Sequence, residues 1–79
     1  MDRITITGSS NISEIGYDYE SMTLEIKFTS GGIYQYWPIT RAGYEQFSNA
    51  ESKGSYFHKN IRGAKGVDYK KVDELGATI

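Results

Sequence analysis

Seventy-nine residues without a cysteine make one small domain that neither disulfides nor thiolate-bound metal can brace. A formal charge of -1 excludes the uniformly basic surface of a general duplex binder. The start, MDRITITG, lacks the basic and apolar regions of a signal peptide and no stretch reaches transmembrane length, so a cytoplasmic protein with no membrane partner is expected.

A chain this short buries only about 60% of its unfolded surface. The 7 Tyr, 3 Phe and 1 Trp supply large apolar bodies to offset that. Self-association is the other common remedy, and a homo-oligomer is expected.

Ile4 and Ile6 alternate with Thr5 and Thr7, a short edge strand that Gly8-Ser9-Ser10-Asn11 breaks. Asn11 to Tyr17 reads as the next strand, with Ile15 and Tyr17 on one side and Ile12 on the other, which leaves its buried face open. Asp18 to Met22 is a polar hairpin connection. Thr23 to Trp37 is the centre of the chain: Leu24, Ile26 and Phe28 alternate with polar residues, and Ser30-Gly31-Gly32 turns the chain. Ile33 to Trp37 then returns as a second strand until Pro38, which has no N–H for a ladder.

After Pro38 the period becomes helical. Thr40 is placed as an N-cap, with Ile39 and Tyr44 at staple spacing, and Tyr44, Phe47 and Ala50 form one stripe. Ser52 is a second N-cap. Tyr56, Phe57 and Ile61 give the next helix its apolar face, and Gly63 is placed to end it. Beyond Ala64 a loosely packed or short extended segment to Val72 is expected. The reading is therefore an α+β domain over residues 1–72, with a flexible tail over 73–79. Its architecture is an antiparallel three- to four-stranded β-meander with two short helices packed on one face. The predicted core is Leu24, Ile26, Phe28, Phe47, Phe57 and Ile61.

The charge is segregated. Arg3, Lys27 and Arg41 face six carboxylates in residues 1–50, whereas Lys53, Lys59, Arg62, Lys65, Lys70 and Lys71 face only Asp68 in residues 52–71. Ser55, His58, Lys59 and Arg62 fall on one helical stripe. A hydroxyl, an imidazole and two cations so placed suit a phosphate, with Arg62 as a bidentate fork and Lys59 as a point charge. Lys53 adds charge near the helix N-terminus. Tyr34 and Tyr36 share a strand face and suit base stacking or core packing. The Ser9-Ser10-Asn11 loop is a further candidate for ligand contact.

Catalytic patterns are weak. His58 is the sole histidine, Ser55 has no third group to complete a triad with it, and the carboxylates are scattered. Gly63-Ala-Lys-Gly66 is neither a P-loop nor a dinucleotide fingerprint. No enzyme, cofactor or metal is expected.

The order Ser-Ser-Asn-Ile (9–12), Gly-Tyr-Asp (16–18), Leu-Glu-Ile-x-Phe with Gly-x-Tyr-x-Tyr (24–36) and Gly-Ser-Tyr-Phe-His-x-x-Ile-Arg (54–62) resembles the KTSC domain. That family is named for the C-terminus of some lysyl-tRNA synthetases and includes small stand-alone bacterial and phage proteins. The resemblance implies an RNA-binding role and falls on Tyr34, Tyr36, Tyr56, Phe57, Ile61 and Arg62. Three functions follow as expectations. The first is capture of a small phosphate-bearing nucleotide, such as a signalling nucleotide sequestered by a phage-type sponge. The second is an RNA-binding accessory domain, with short RNA as partner. The third is an assembly module without a nucleotide ligand.

Overall fold

The computed structural model describes residues 1–79. In chain order it has β1 (Ile4–Thr5), β2 (Ile12–Asp18), β3 (Thr23–Phe28), β4 (Ile33–Trp37), α1 (Arg41–Asn49), α2 (Lys53–Asn60) and β5 (Asp68–Val72). The strands form one antiparallel sheet in the order β1-β2-β3-β4-β5. The α+β class and the meander hold, but the sheet has five strands where three or four were expected. The added member is β5, whose Tyr69 and Lys71 alternate with Asp68 and Lys70, so its only buried anchor is Val72. It forms because β4 still has a free edge to pair, from Ile33↔Val72 to Trp37↔Asp68.

Two local devices set the register. Gly31 takes φ +102 in the β3–β4 turn, where Phe28 N–H bonds the Gly32 carbonyl at 2.9 Å. In β2 the pairing steps from Ile12↔Phe28 to Glu14↔Lys27, so Ser13 is the extra residue of a bulge. That bulge resolves the open face of β2, because it turns Ile12 and Ile15 to the same side and buries both. With Leu24, Ile26 and Tyr36 they form the sheet half of the core, and Phe47, Phe57 and Ile61 of the helical layer close it.

The helices begin as their sequences dictate. Thr40 Oγ1 accepts from Gly43 N–H, and Ser52 Oγ accepts from Ser55 N–H. The apolar stripe of α1 is narrower than expected: Phe47 is buried, while Tyr44 is half-buried and stacks on Tyr17 at 4.5 Å. Tyr17 in turn donates its hydroxyl to the Ile39 carbonyl. Of the predicted core, Phe28 is only partly buried, because the sheet ends there and the ring meets open space on one side.

The opposite face of the sheet holds a charged network. Arg3 reaches Glu14, Glu25 and Glu74 at 2.7 to 2.8 Å, and Lys27 reaches Glu74 at 2.8 Å. Glu25 is 1% exposed, and Gln35 donates to its other oxygen at 2.7 Å. Gly16 permits this arrangement, since a Cβ there would lie 2.5 Å from the Asp2 carbonyl oxygen and push the N-terminal arm off the sheet. Residues 73–79, expected as a flexible tail, make a turn that returns to β5. Asp73 and Ala77 are hydrogen-bonded at 2.9 Å and Thr78 bridges Val72. The turn follows from Asp73, whose carboxylate accepts from the N–H groups of Leu75 and Ala77.

Candidate functional site

Beyond Phe28 the sheet and α2 diverge, and the gap between them is a cleft of about 670 Å³. Its floor is aromatic. Phe28 meets Phe57 edge-on at 5.4 Å, and Phe57 meets Tyr36 at 5.2 Å. The ladder places Tyr69 beside Tyr36, with the rings 6.1 Å apart and 29° from parallel, and Tyr34 lies 6.4 Å from Tyr69. His58 and Arg62 form the polar wall on the helix side, and Asn11, Thr29 and Ser30 form it on the loop side.

The sequence-predicted residues divide on this geometry. Tyr34, Tyr36, His58, Arg62 and Asn11 all line the cleft. Lys53 and Ser55 do not; they line a smaller recess of about 370 Å³ next to it, shared with the Thr7–Asn11 loop. Lys59 lines neither. The stripe Ser55, His58, Lys59, Arg62 is therefore not one surface. It assumed a helix through residue 62, whereas α2 ends at Asn60 and Ile61 caps it. Arg62 is carried by the following turn, its N–H bonded to the Phe57 carbonyl at 2.8 Å, and Gly63 at φ +70 sits two residues past the cap.

The sequence leaves Tyr34 and Tyr36 open between core and exposed surface; in the structure Tyr36 is core, Tyr34 is partly buried against it, and both rings line the cleft. Tyr36 is 7% exposed and belongs to the core cluster, yet its rim lines the cleft. Burial pushes its hydroxyl up to about 12, with the nearby Tyr34 and Tyr69 acting the same way and the Arg62 guanidinium opposing them. Tyr69 and Phe28 are cleft residues that the sequence reading did not select. A usable signal was present, because Ile33 to Trp37 carries no charge and an edge strand of that kind is unprotected. That edge asks for a further strand, but nothing local marks Tyr69 as the residue beside Tyr36.

Charge compensation is one-sided. All six ion pairs use Arg3, Lys27 or Arg41. None of the six cations between Lys53 and Lys71 has a carboxylate partner. No three His, Asp or Glu side chains gather in a way that could hold a metal ion, and no helix is long and apolar enough to cross a membrane. The cleft thus offers stacking surface, hydrogen-bond donors and a guanidinium free to pair with an anion.

Comparisons with known proteins agree with this fold. The KTSC domain family model matches residues 8–64. Lysine–tRNA ligase of Trichormus variabilis is 43% identical over 54 residues, which is 68% of this chain and 10% of the ligase, so the chain spans about a tenth of that relative's length. An uncharacterized protein of Stutzerimonas stutzeri is 32% identical over 59 residues, covering 75% of this chain and 82% of that one. The crystal structure of a KTSC domain protein from Yersinia pestis superposes with a TM-score of 0.84 at 35% identity, over 91% of this chain and 97% of that one.

Proposed function

The chain belongs to the KTSC domain family, and from that premise we propose that it is a non-enzymatic binding protein for a phosphate-bearing nucleotide. The observation that carries the reading is the juxtaposition in one cleft of an aromatic floor and an arginine without a carboxylate partner. A nucleobase stacks on Tyr69 and Tyr34, because a π-face accepts any base and each such contact contributes about 1 to 3 kcal/mol. Arg62 takes the phosphate, since a planar fork matches two phosphate oxygens at once. His58 stands beside it as a second donor.

RNA binding is the second reading. It is favoured by Lys65, Lys70 and Lys71, which are cations without ion-pair partners close in sequence to the cleft residues Val67 and Tyr69, and by the ligase relatives. A cytoplasmic setting and a homo-oligomer belong to the same proposal.

The test is a thermal-shift screen of nucleotides beside short RNA oligonucleotides. A ligand at a hundred times its Kd stabilises the native state by about 2.7 kcal/mol, a shift that such a screen resolves. Arg62→Ala is expected to weaken a bound nucleotide about ten- to a hundredfold, and Arg62→Lys to recover only part of that. A shallow salt dependence supports the nucleotide, and a steep one supports RNA tracked over many phosphates. Full affinity in a stable Arg62→Ala variant would remove this cleft from the argument.

A further inference from the structure

The cleft and the recess share two residues, Asn11 and His58, and so adjoin at that pair. Their chemistry differs. Seven of the 13 residues around the cleft are hydrophobic, against one of the 12 around the recess, where Ile6 is the exception. In the recess the side chains of Thr7, Ser10 and Asn11 make no hydrogen bond within the protein. Ser9 Oγ accepts from the Asn11 and Ile12 N–H groups, which leaves its own proton to donate outward. Ser55 Oγ accepts from Ser52 and is likewise left with a proton to give. Lys53 Nζ has only the Ala50 carbonyl, at 3.4 Å. Against these donors stands one carboxylate, the exposed Glu51.

A wall of hydroxyls, an amide and an ammonium is matched by an acceptor-rich, anionic group. Such a group enters the recess from the cleft past Asn11 and His58. Building on the nucleotide reading above, we infer that the ligand carries a polyphosphate chain. Its base lies on the tyrosines, its first phosphate at Arg62, and its outer phosphates in the recess at Lys53, Ser10 and Ser55. The two compartments then discriminate among nucleotides by length: a monophosphate fills the cleft alone, and a nucleoside triphosphate fills both.

Titration calorimetry of the 79-residue chain with AMP, ATP, GMP and GTP tests this. For the base that binds, the triphosphate is expected to bind at least about tenfold tighter than the monophosphate, an advantage that one charge-assisted hydrogen bond from Lys53 can supply. Lys53→Ala should remove most of that advantage while leaving the monophosphate within about twofold. Lys65→Ala, a cation outside both compartments, should leave the ratio of the two affinities unchanged, which separates the recess from general charge attraction. Equal affinity for monophosphate and triphosphate overturns the inference and leaves the nucleotide reading standing. So does a Lys53→Ala variant, native by thermal melt, that keeps the full advantage. Failure of all four to bind overturns the inference for purine nucleotides, and the nucleotide reading is then decided by the thermal-shift screen.

Discussion

Replacing Arg3 by methionine withdraws the guanidinium that lies 2.7 Å from Glu25. The carboxylate is left inside the protein with Gln35 as its remaining side-chain partner. Breaking one side of a buried ion pair costs about 3 to 5 kcal/mol, because the other charge stays desolvated. The lower end, about 3 kcal/mol, is expected here, since β1 is only two residues long and local opening of the N-terminal arm lets water reach Glu25. A domain of this size has roughly 4 to 12 kcal/mol in total, so the loss is a large fraction of its stability. Urea unfolding followed by the fluorescence of Trp37, the sole tryptophan, measures it. Adding Glu25→Gln should restore much of the loss, because a neutral amide in the same place no longer needs the guanidinium. An Arg3→Met variant within about 0.5 kcal/mol of the parent would refute the reasoning, as would a double variant no more stable than Arg3→Met alone.

Phe47, with no exposed surface, should cost about 3 to 5 kcal/mol on truncation to alanine, whereas the half-buried Phe28 should cost about 1 to 2. Chemical denaturation of the two variants checks the order, and a reversed order would show the cleft wall misplaced. Tyr69 is 67% exposed, so Tyr69→Ala should stay within about 0.5 kcal/mol of the parent in stability, yet weaken a stacked ligand measurably by calorimetry. Tyr36→Ala should damage both. Raising the pH tests the buried hydroxyl. Tyr36 has a folded value of about 12 against 10.0 unfolded, so its contribution is intact below pH 10.0 and lost as pH climbs toward 12. Tyrosinate absorbance should show a late-titrating group that joins the others once the protein is unfolded.

The middle of the chain was legible because each local signal agreed with the next. The alternation of Leu24, Ile26 and Phe28, the glycine turn and the two N-cap hydroxyls all appear where the residues put them. The failures share a cause, which is that tertiary partners decided what local pattern could not. Ser13 is unremarkable as a residue, and only pairing with β3 makes it a bulge that brings Ile12 inward. β5 is too charged to read as a strand until β4 offers it an edge. Glu25 looks like the solvent-facing member of an alternating strand, but it is buried because a distant arginine at position 3 covers it. For the site, residue types identified the tyrosines, His58 and Arg62 correctly as neighbours. The helix stripe also grouped Lys59 with them, but α2 stops at Asn60, two residues short of the extent that periodicity suggested, and Lys59 lines neither the cleft nor the recess.

Arg3 also joins the two ends of the chain, since one guanidinium binds β2 and β3 through Glu14 and Glu25 and the C-terminal turn through Glu74. Arg3 of the N-terminal arm and Glu74 of the C-terminal turn therefore meet on the face of the sheet away from the helices, while the cleft opens between the sheet and α2 on the other. The contacts that tie the N-terminal arm to the C-terminal turn thus leave the cleft entrance uncovered. The separation of this network from the cleft can be probed by circular permutation. Joining Met1 to Ile79 through a flexible linker long enough to cross the sheet and reopening the chain at the exposed Ser30–Gly31 turn would cut the rim of the cleft. Reopening it at Glu20–Ser21 would leave the rim whole.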